Sequence, residues 1–238
     1  MNCLGQRPVG PSVSGAESSF CHPMEKSTLK VKCIIYDCDG VLFDSLEANT
    51  RLYNDLCRSV GRPPLTVEEI NYAHSHTVYE SVHFLFARDE ELGKRALETL
   101  KQIDFRRYIV YLKMEPNLLK TLDLLRANGI RRAISTNRTT SMNYIMEEFG
   151  LWPHFELVVT ALDVEHPKPH PESIEKILST FRLTHDETLF LGDSDIDRCA
   201  AKAAGIHFIS YKNEEITTGT VIHDHLELLN LIECPKKR

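Results

Sequence analysis

No apolar stretch of this 238-residue chain approaches the roughly 18 residues that a membrane-spanning helix needs. A bilayer-embedded protein is therefore not expected. Basic residues are not in excess either: 34 acidic side chains stand against 28 basic ones, for a formal net charge of -6. Such a chain has no long-range attraction for a polyanion, so no nucleic-acid partner is expected. A local cation or a bound metal can still hold a small anion. Among seven cysteines (Cys3, Cys21, Cys33, Cys38, Cys57, Cys199 and Cys234) no CxxC pair occurs. The odd number and irregular spacing exclude a zinc ribbon or a disulfide scaffold. Cys33 and Cys38 sit in or beside an apolar run, where a thiol packs as a small hydrophobe. This usage predicts a reducing, cytoplasmic compartment. There is no internal repeat. Residues 1–23 are rich in Gly, Pro and Ser and lack the apolar h-region of a secretory signal. They predict an unfolded tail reaching about residue 28. A start at Met24, just before the first expected element, would cost the fold little.

Hydrophobic residues make up 42% of the chain and charged ones 26%, which together with its length predicts one or two globular domains. Residues 31–36 (VKCIIY) are short, apolar and β-branched, as in a buried strand. From about 47 to 112 the pattern changes to helix-spaced apolar residues among many charges. Leu46, Leu52, Tyr53, Leu56 and Val60 form a stripe that Gly61 and Pro63 stop. Thr66 with Glu69, and Thr77 with Glu80, have the spacing of capping boxes. A long charged helix over 89–112 is expected to close this inserted helical subdomain. Beyond Glu115, helices predicted over 118–127, 141–149, 171–181, 196–204 and 226–232 alternate with strands over 131–136, 157–160, 188–192 and 206–210. Alternation of this kind predicts a doubly wound α/β fold, a parallel sheet covered on both faces. Trp152 is expected in the core.

In such a sheet ligands bind beyond the carboxyl ends of the strands. Those ends carry Asp37-Cys38-Asp39-Gly40, then Ser135-Thr136-Asn137-Arg138, then His166-Pro167-Lys168-Pro169-His170, then Gly192-Asp193-Ser194-Asp195-Ile196-Asp197. Strand periodicity sends Asp37 and Asp39 to one side and Cys38 to the other, toward packing. Asp193 adds a third carboxylate. Three acids at one apex repel unless a cation intervenes, and oxygen donors with retained waters suit Mg²⁺. Lys168 supplies a compact positive charge beside them, and Thr136 with the following N–H groups offers a phosphate seat.

Taken in order, these four segments resemble the four motifs of the haloacid dehalogenase (HAD) superfamily, phosphatase branch, over nearly all of the chain after about Thr28. The resemblance implies a Rossmann-like core over 29–45 and 113–238, with an inserted α-helical C1-type cap over 46–112. It implies that Asp37 is the nucleophile that becomes an aspartyl-phosphate, and that Asp39 is the general acid and later the general base. It implies that Thr136 binds the transferring phosphoryl and that Lys168 neutralises charge on nucleophile and phosphate. Asp193 is implied as the principal Mg²⁺ ligand, beside Asp37 and the backbone carbonyl of Asp39, with Asp197 a direct ligand or one step removed. An acid at Asp39 favours phosphate chemistry over dehalogenation, because a halide leaves without a proton. Thr136-Asn137 resembles the phosphoglycolate-phosphatase-like group, in which Lys is frequent at the position of Arg138. Asn137 and Arg138 are thus implied substrate contacts.

The expected activity is Mg²⁺-dependent hydrolysis of a small phosphorylated metabolite. The alternatives are a β-phosphoglucomutase-like phosphomutase and a non-catalytic phosphometabolite-binding module. In the cap, His74 and His76 either contact the leaving group or are solvated loop residues. Asp44, Ser45, Ser135, His166 and His170 are expected to be structural, and Asp195 to be exposed or a helix cap.

Overall fold

The computed structural model describes residues 28–217 and 219–233; the N-terminal tail, Met24, Cys3, Cys21 and Cys234 lie outside them. In chain order the elements are β1 (Cys33–Tyr36), β2 (Phe43–Asp44), α1 (Leu46–Ser59), α2 (Val67–Ser75), α3 (Val78–Leu85), α4 (Glu90–Gln102) and α5 (Arg106–Ile109). They continue with β3 (Lys113–Met114), α6 (Leu118–Ala127), β4 (Arg131–Ser135), α7 (Ser141–Glu148), β5 (Leu157–Val159), α8 (Glu172–Phe181), β6 (Thr188–Gly192), α9 (Asp195–Ala204), β7 (His207–Tyr211) and β8 (Val221–Ile222).

Six strands form one parallel sheet in the order β5-β4-β1-β6-β7-β8. Its central strand β1 is buried at every position, and its side chains alternate between the two faces. Ile34 and Tyr36 join a cluster with Leu118, Leu122, Ile145 and Met146, from α6 and α7. Cys33 and Ile35 join Ile174, Ile177, Ala200 and Ala201, from α8 and α9. Period-two burial on both faces is why the strand reads as a continuous apolar run. The architecture is the doubly wound α/β core anticipated from the alternation of elements.

The segment between β2 and β3 holds α1 to α5 and has an apolar cluster of its own, with Tyr53, Leu56, Val82, Leu85, Phe86, Ala96 and Leu100 buried in it. Both anticipated capping boxes are formed: the Thr66 and Thr77 side chains accept from the Glu69 and Glu80 N–H groups, and the glutamates reach back. The two passages of chain between sheet and helices are tied together. Phe43 pairs with Met114 and Asp44 with Lys113 in an antiparallel ribbon, and the Glu115 N–H donates to the Leu42 carbonyl at 3.0 Å.

Four expectations are corrected. The single helix over 89–112 is two, α4 and α5, because Asp104 takes the Arg106 N–H at 3.1 Å and Nε at 2.8 Å. A local side-chain bond of that kind competes with the helical ladder. Trp152 is 48% exposed; it opens a 3-10 turn while its neighbour Leu151 fills the core position. Leu46, the first residue of α1, is exposed, so the stripe begins at Leu52. The last helix is a 3-10 segment, His225–Asn230.

Candidate active site

Strand register brings the four polar ends together. Tyr36 is level with Ile134 on β4 and with Leu191 on β6, so the residues just beyond each strand meet at one edge. The ladder runs one step further, since the Asp37 N–H donates to the Leu191 carbonyl at 3.0 Å. Chain order reverses direction across β1, which makes this edge the crevice of the sheet.

Lys168 is the hub. It is 3% exposed, and its Nζ donates to Asp37 Oδ1 at 2.7 Å and to Asp197 Oδ1 at 2.6 Å. Its backbone is clasped by the Asn137 amide: Oδ1 accepts the Lys168 N–H and Nδ2 donates to the Lys168 carbonyl, both at 3.0 Å. Asp197, wholly buried in the first turn of α9, has its other oxygen occupied by Ser194. The Ser194 hydroxyl donates to Asp197 Oδ2 at 2.6 Å and accepts the Asp197 N–H at 3.3 Å, a capping box that fixes the carboxylate. Asp195 is exposed on the same turn and pairs with Arg198.

Ligand atoms of Asp37, Asp193 and Asp197 lie within 4.8 Å of one another. Burial, reinforced by the Asp197 and Asp39 charges and opposed by Lys168, pushes Asp37 up to about 7. Burial and the neighbouring Asp197, Asp37 and Asp39 charges raise Asp193 well above the usual carboxylate range. Such carboxylates are a fit for a hard divalent cation, which removes the repulsion and takes only oxygen donors. The backbone leaves room for the third carboxylate: a Cβ on Gly40 would stand 1.8 Å from Asp193 Oδ2.

Across the crevice, Asp39 Oδ1 accepts from Arg138 Nη2 at 2.6 Å, and the Asn49 amide nitrogen lies 3.2 Å from both Asp39 Oδ1 and His74 Nδ1. Burial alone would raise Asp39, but the Arg138 guanidinium and His74 hold it below the usual carboxylate range. Thr136 is buried, and its hydroxyl accepts the Arg138 N–H at 3.1 Å. Asp37, Asp39, His74, His76, Thr136, Asn137, Arg138 and Lys168 line one pocket. His76 is held by its own helix: Nδ1 lies 2.9 Å from the Tyr72 carbonyl and the ring stacks on Tyr72 at 3.7 Å. Asp197 lies behind Lys168, bonded to its Nζ, and the Asp193 carboxylate lies against Gly40. Ser135 bonds to Ser173 at 2.8 Å inside the core. His166 and His170 are exposed, on the outer side of the Lys168 loop.

The family model described as haloacid dehalogenase-like hydrolase matches residues 34–211. The chain belongs to this family. A phosphoglycolate phosphatase of Rhodobacter capsulatus is 29% identical over 183 residues, 75% of this chain and 83% of that protein. Phosphoglycolate phosphatase 1 of Pseudomonas aeruginosa is 25% identical over 201 residues, 82% and 72% of the two chains. A HAD-superfamily hydrolase of subfamily IA from Geobacter sulfurreducens superposes with a TM-score of 0.70 at 34% identity, over 88% of this chain and 99% of that one.

Several residues around this HAD site were not anticipated. Asn49, from α1, meets Asp39 and Arg138, the latter at 3.3 Å. Asn213, beyond β7, donates to the Asp193 carbonyl at 2.8 Å. Neither carries a sequence signal, because only the fold brings α1 and the β7 end to the crevice. Ser194 does carry one, since Ser194 and Asp197 have capping-box spacing ahead of an apolar face.

Proposed function

We propose that this chain is a Mg²⁺-dependent phosphatase that hydrolyses a small phosphorylated metabolite through an aspartyl-phosphate on Asp37. Phosphoric monoester hydrolysis is the activity that its family and its phosphatase relatives support. The observation that carries the finer reading is the pair of bonds from buried Lys168 to Asp37 and Asp197 at the strand ends.

Asp37, its charged form favoured by Lys168 against burial, attacks phosphorus; the P–O bond to the leaving group breaks, and that oxygen takes a proton from Asp39. In the second half Asp39 accepts a proton from water as the water attacks phosphorus. The P–O bond to Asp37 then breaks, and inorganic phosphate leaves. Mg²⁺, held by Asp37, Asp193 and the Asp39 carbonyl with Asp197 behind them, would supply charge neutralisation at the phosphoryl oxygens. Thr136 and the N–H groups after it receive the phosphoryl group. While paired with Arg138, Asp39 is anionic and suited to the base step. Its acid step requires a substrate anion to draw Arg138 away. The helices over 46–112 are read as the cap; they bring Asn49, His74 and His76 over the pocket and exclude water. The free thiols of Cys33, Cys38, Cys57 and Cys199 fit a reducing cytoplasm. No helix among the described residues is long and apolar enough to cross a membrane.

The test is phosphate release from a panel of phosphorylated metabolites, with and without Mg²⁺. Mg²⁺-dependent release without a bisphosphate activator is expected, and Asp37→Asn should abolish it. Turnover near wild type in that variant would overturn the nucleophile. A requirement for a bisphosphate activator, with no net phosphate released, would favour the phosphomutase.

A further inference from the structure

The loop that carries Lys168 inward turns a different chemistry outward. Its His166, His170 and Glu172 side chains each offer a ligand atom, all within 4.8 Å of one another. Apart from the active-site acids, no other such trio of His, Cys, Asp or Glu occurs among the described residues. We infer that these three residues form a second cation site, selective for a borderline divalent ion of the zinc class.

The donor set decides the class of ion. Two imidazoles and a carboxylate suit Zn²⁺, Ni²⁺ or Cu²⁺, whereas Mg²⁺ prefers oxygen donors and keeps its waters. The distances suit it as well. Tetrahedral zinc with bonds of about 2.1 Å places neighbouring ligand atoms roughly 3.4 Å apart. Glu172 Oε2 lies 3.2 Å from His166 Nδ1 and 3.9 Å from His170 Nδ1, on either side of that value.

The site is also prepared. The Glu172 carboxylate is oriented by two backbone donors, Glu165 N–H to Oε1 at 2.8 Å and His166 N–H to Oε2 at 2.9 Å. The Glu172 N–H donates to His170 Nδ1 at 3.3 Å, a bond the ion would replace at that lone pair, and the two imidazole rings lie 4.8 Å apart between centroids. Pro167, Pro169 and Pro171 restrict the backbone that spaces the ligands. Fixing a ligand's orientation in advance in this way sustains metal affinity. Both histidines are exposed, so an ion reaches them without opening the fold. With three protein ligands, water completes the coordination. The ion would tie together the two flanks of Lys168, stiffening the loop from its outer side.

The experiment is calorimetric titration of the full chain with Zn²⁺, under excess Mg²⁺ so that the active-site acids are already served. Wild type should bind one Zn²⁺, and the midpoint of thermal unfolding should rise as it binds. His166→Ala and His170→Ala, both surface changes, should each weaken binding about tenfold or more and remove the thermal shift. Asp193→Asn should bind Zn²⁺ as wild type does. Unaltered binding in both histidine variants, or its loss in Asp193→Asn, would overturn the site and place the ion elsewhere.

Discussion

At the scale of single residues, the acidic cluster depends on an atom that is missing. Gly40 has φ +70°, and the space where its Cβ would stand is filled by the Asp193 carboxylate. Gly40→Ala therefore has two effects: the left-handed conformation costs roughly 1–2 kcal/mol, and Asp193 must move. Gly150 separates them, because it also has a positive φ, +62°, but nothing lies within 4 Å of its Cβ position. Both alanine variants should lose stability in urea through the backbone, Gly40→Ala by more because Asp193 is also displaced. Only Gly40→Ala should raise the Mg²⁺ concentration for half-maximal phosphate release, by about tenfold or more, a change of at least about 1.4 kcal/mol at one ligand. Equal Mg²⁺ requirements in the two variants would mean that Asp193 is not a ligand.

At the scale of elements, α9 does two jobs from one turn. Its capping box starts the helix, and the same Asp197 carboxylate receives Lys168. Ser194→Ala should cost about 1 kcal/mol of stability as a lost cap. It should also lower kcat roughly tenfold, because Asp197, and through it Lys168, loses an anchor. Ser194→Thr should restore both, read by urea midpoint and by phosphate release. A variant that loses stability but keeps kcat would limit Ser194 to capping. The same turn illustrates what the sequence discloses. Ser194-x-x-Asp197, like Thr66-x-x-Glu69 and Thr77-x-x-Glu80, is a local rule, so it is visible as a spacing. The strands β1, β4, β5, β6 and β7 were visible too, because burial on both faces leaves a run such as Cys33–Tyr36 with no polar interruption. The β2–β3 ribbon was not, since two-residue strands have no period to detect. The break at Asp104 was hidden as well, because one carboxylate bonding its own backbone overrides an apolar pattern that continues past it. Arg138 was anticipated as a substrate contact, but its pairing with Asp39 and Asn49 depends on how α1 lies over the crevice, which no local pattern specifies.

At the scale of the whole molecule, the far end of the described chain is wired to the loop that follows Asp37. His225 is fully buried, stacks on Tyr211 at 4.6 Å, and its Nε2 lies 2.9 Å from the Val41 carbonyl, which it meets as a donor. Its Nδ1 has no hydrogen-bond partner among the described residues. Burial lowers its pKa from 6.5 to about 4, against the opposing pull of the Val41 bond and of Glu115 and Asp224. With the folded value below the unfolded one, the unfolded chain holds the extra proton between pH 6.5 and about 4. This contribution to stability is therefore complete above pH 6.5 and is lost as pH falls toward 4, at up to about 1.4 kcal/mol per pH unit. His225→Gln keeps a donor for Val41 but removes the titration. It should be less stable than wild type at pH 7.5, and the gap should narrow as pH falls to 4.5. Urea midpoints across that range measure the difference, with the many shared carboxylates cancelling between the two proteins. A gap that stays constant would mean that His225 is not the group that protonates on unfolding. A gap that closes would make the C-terminal segment an acid-sensitive brace for the Val41 loop, so activity should recover on return to neutral pH as the fold does.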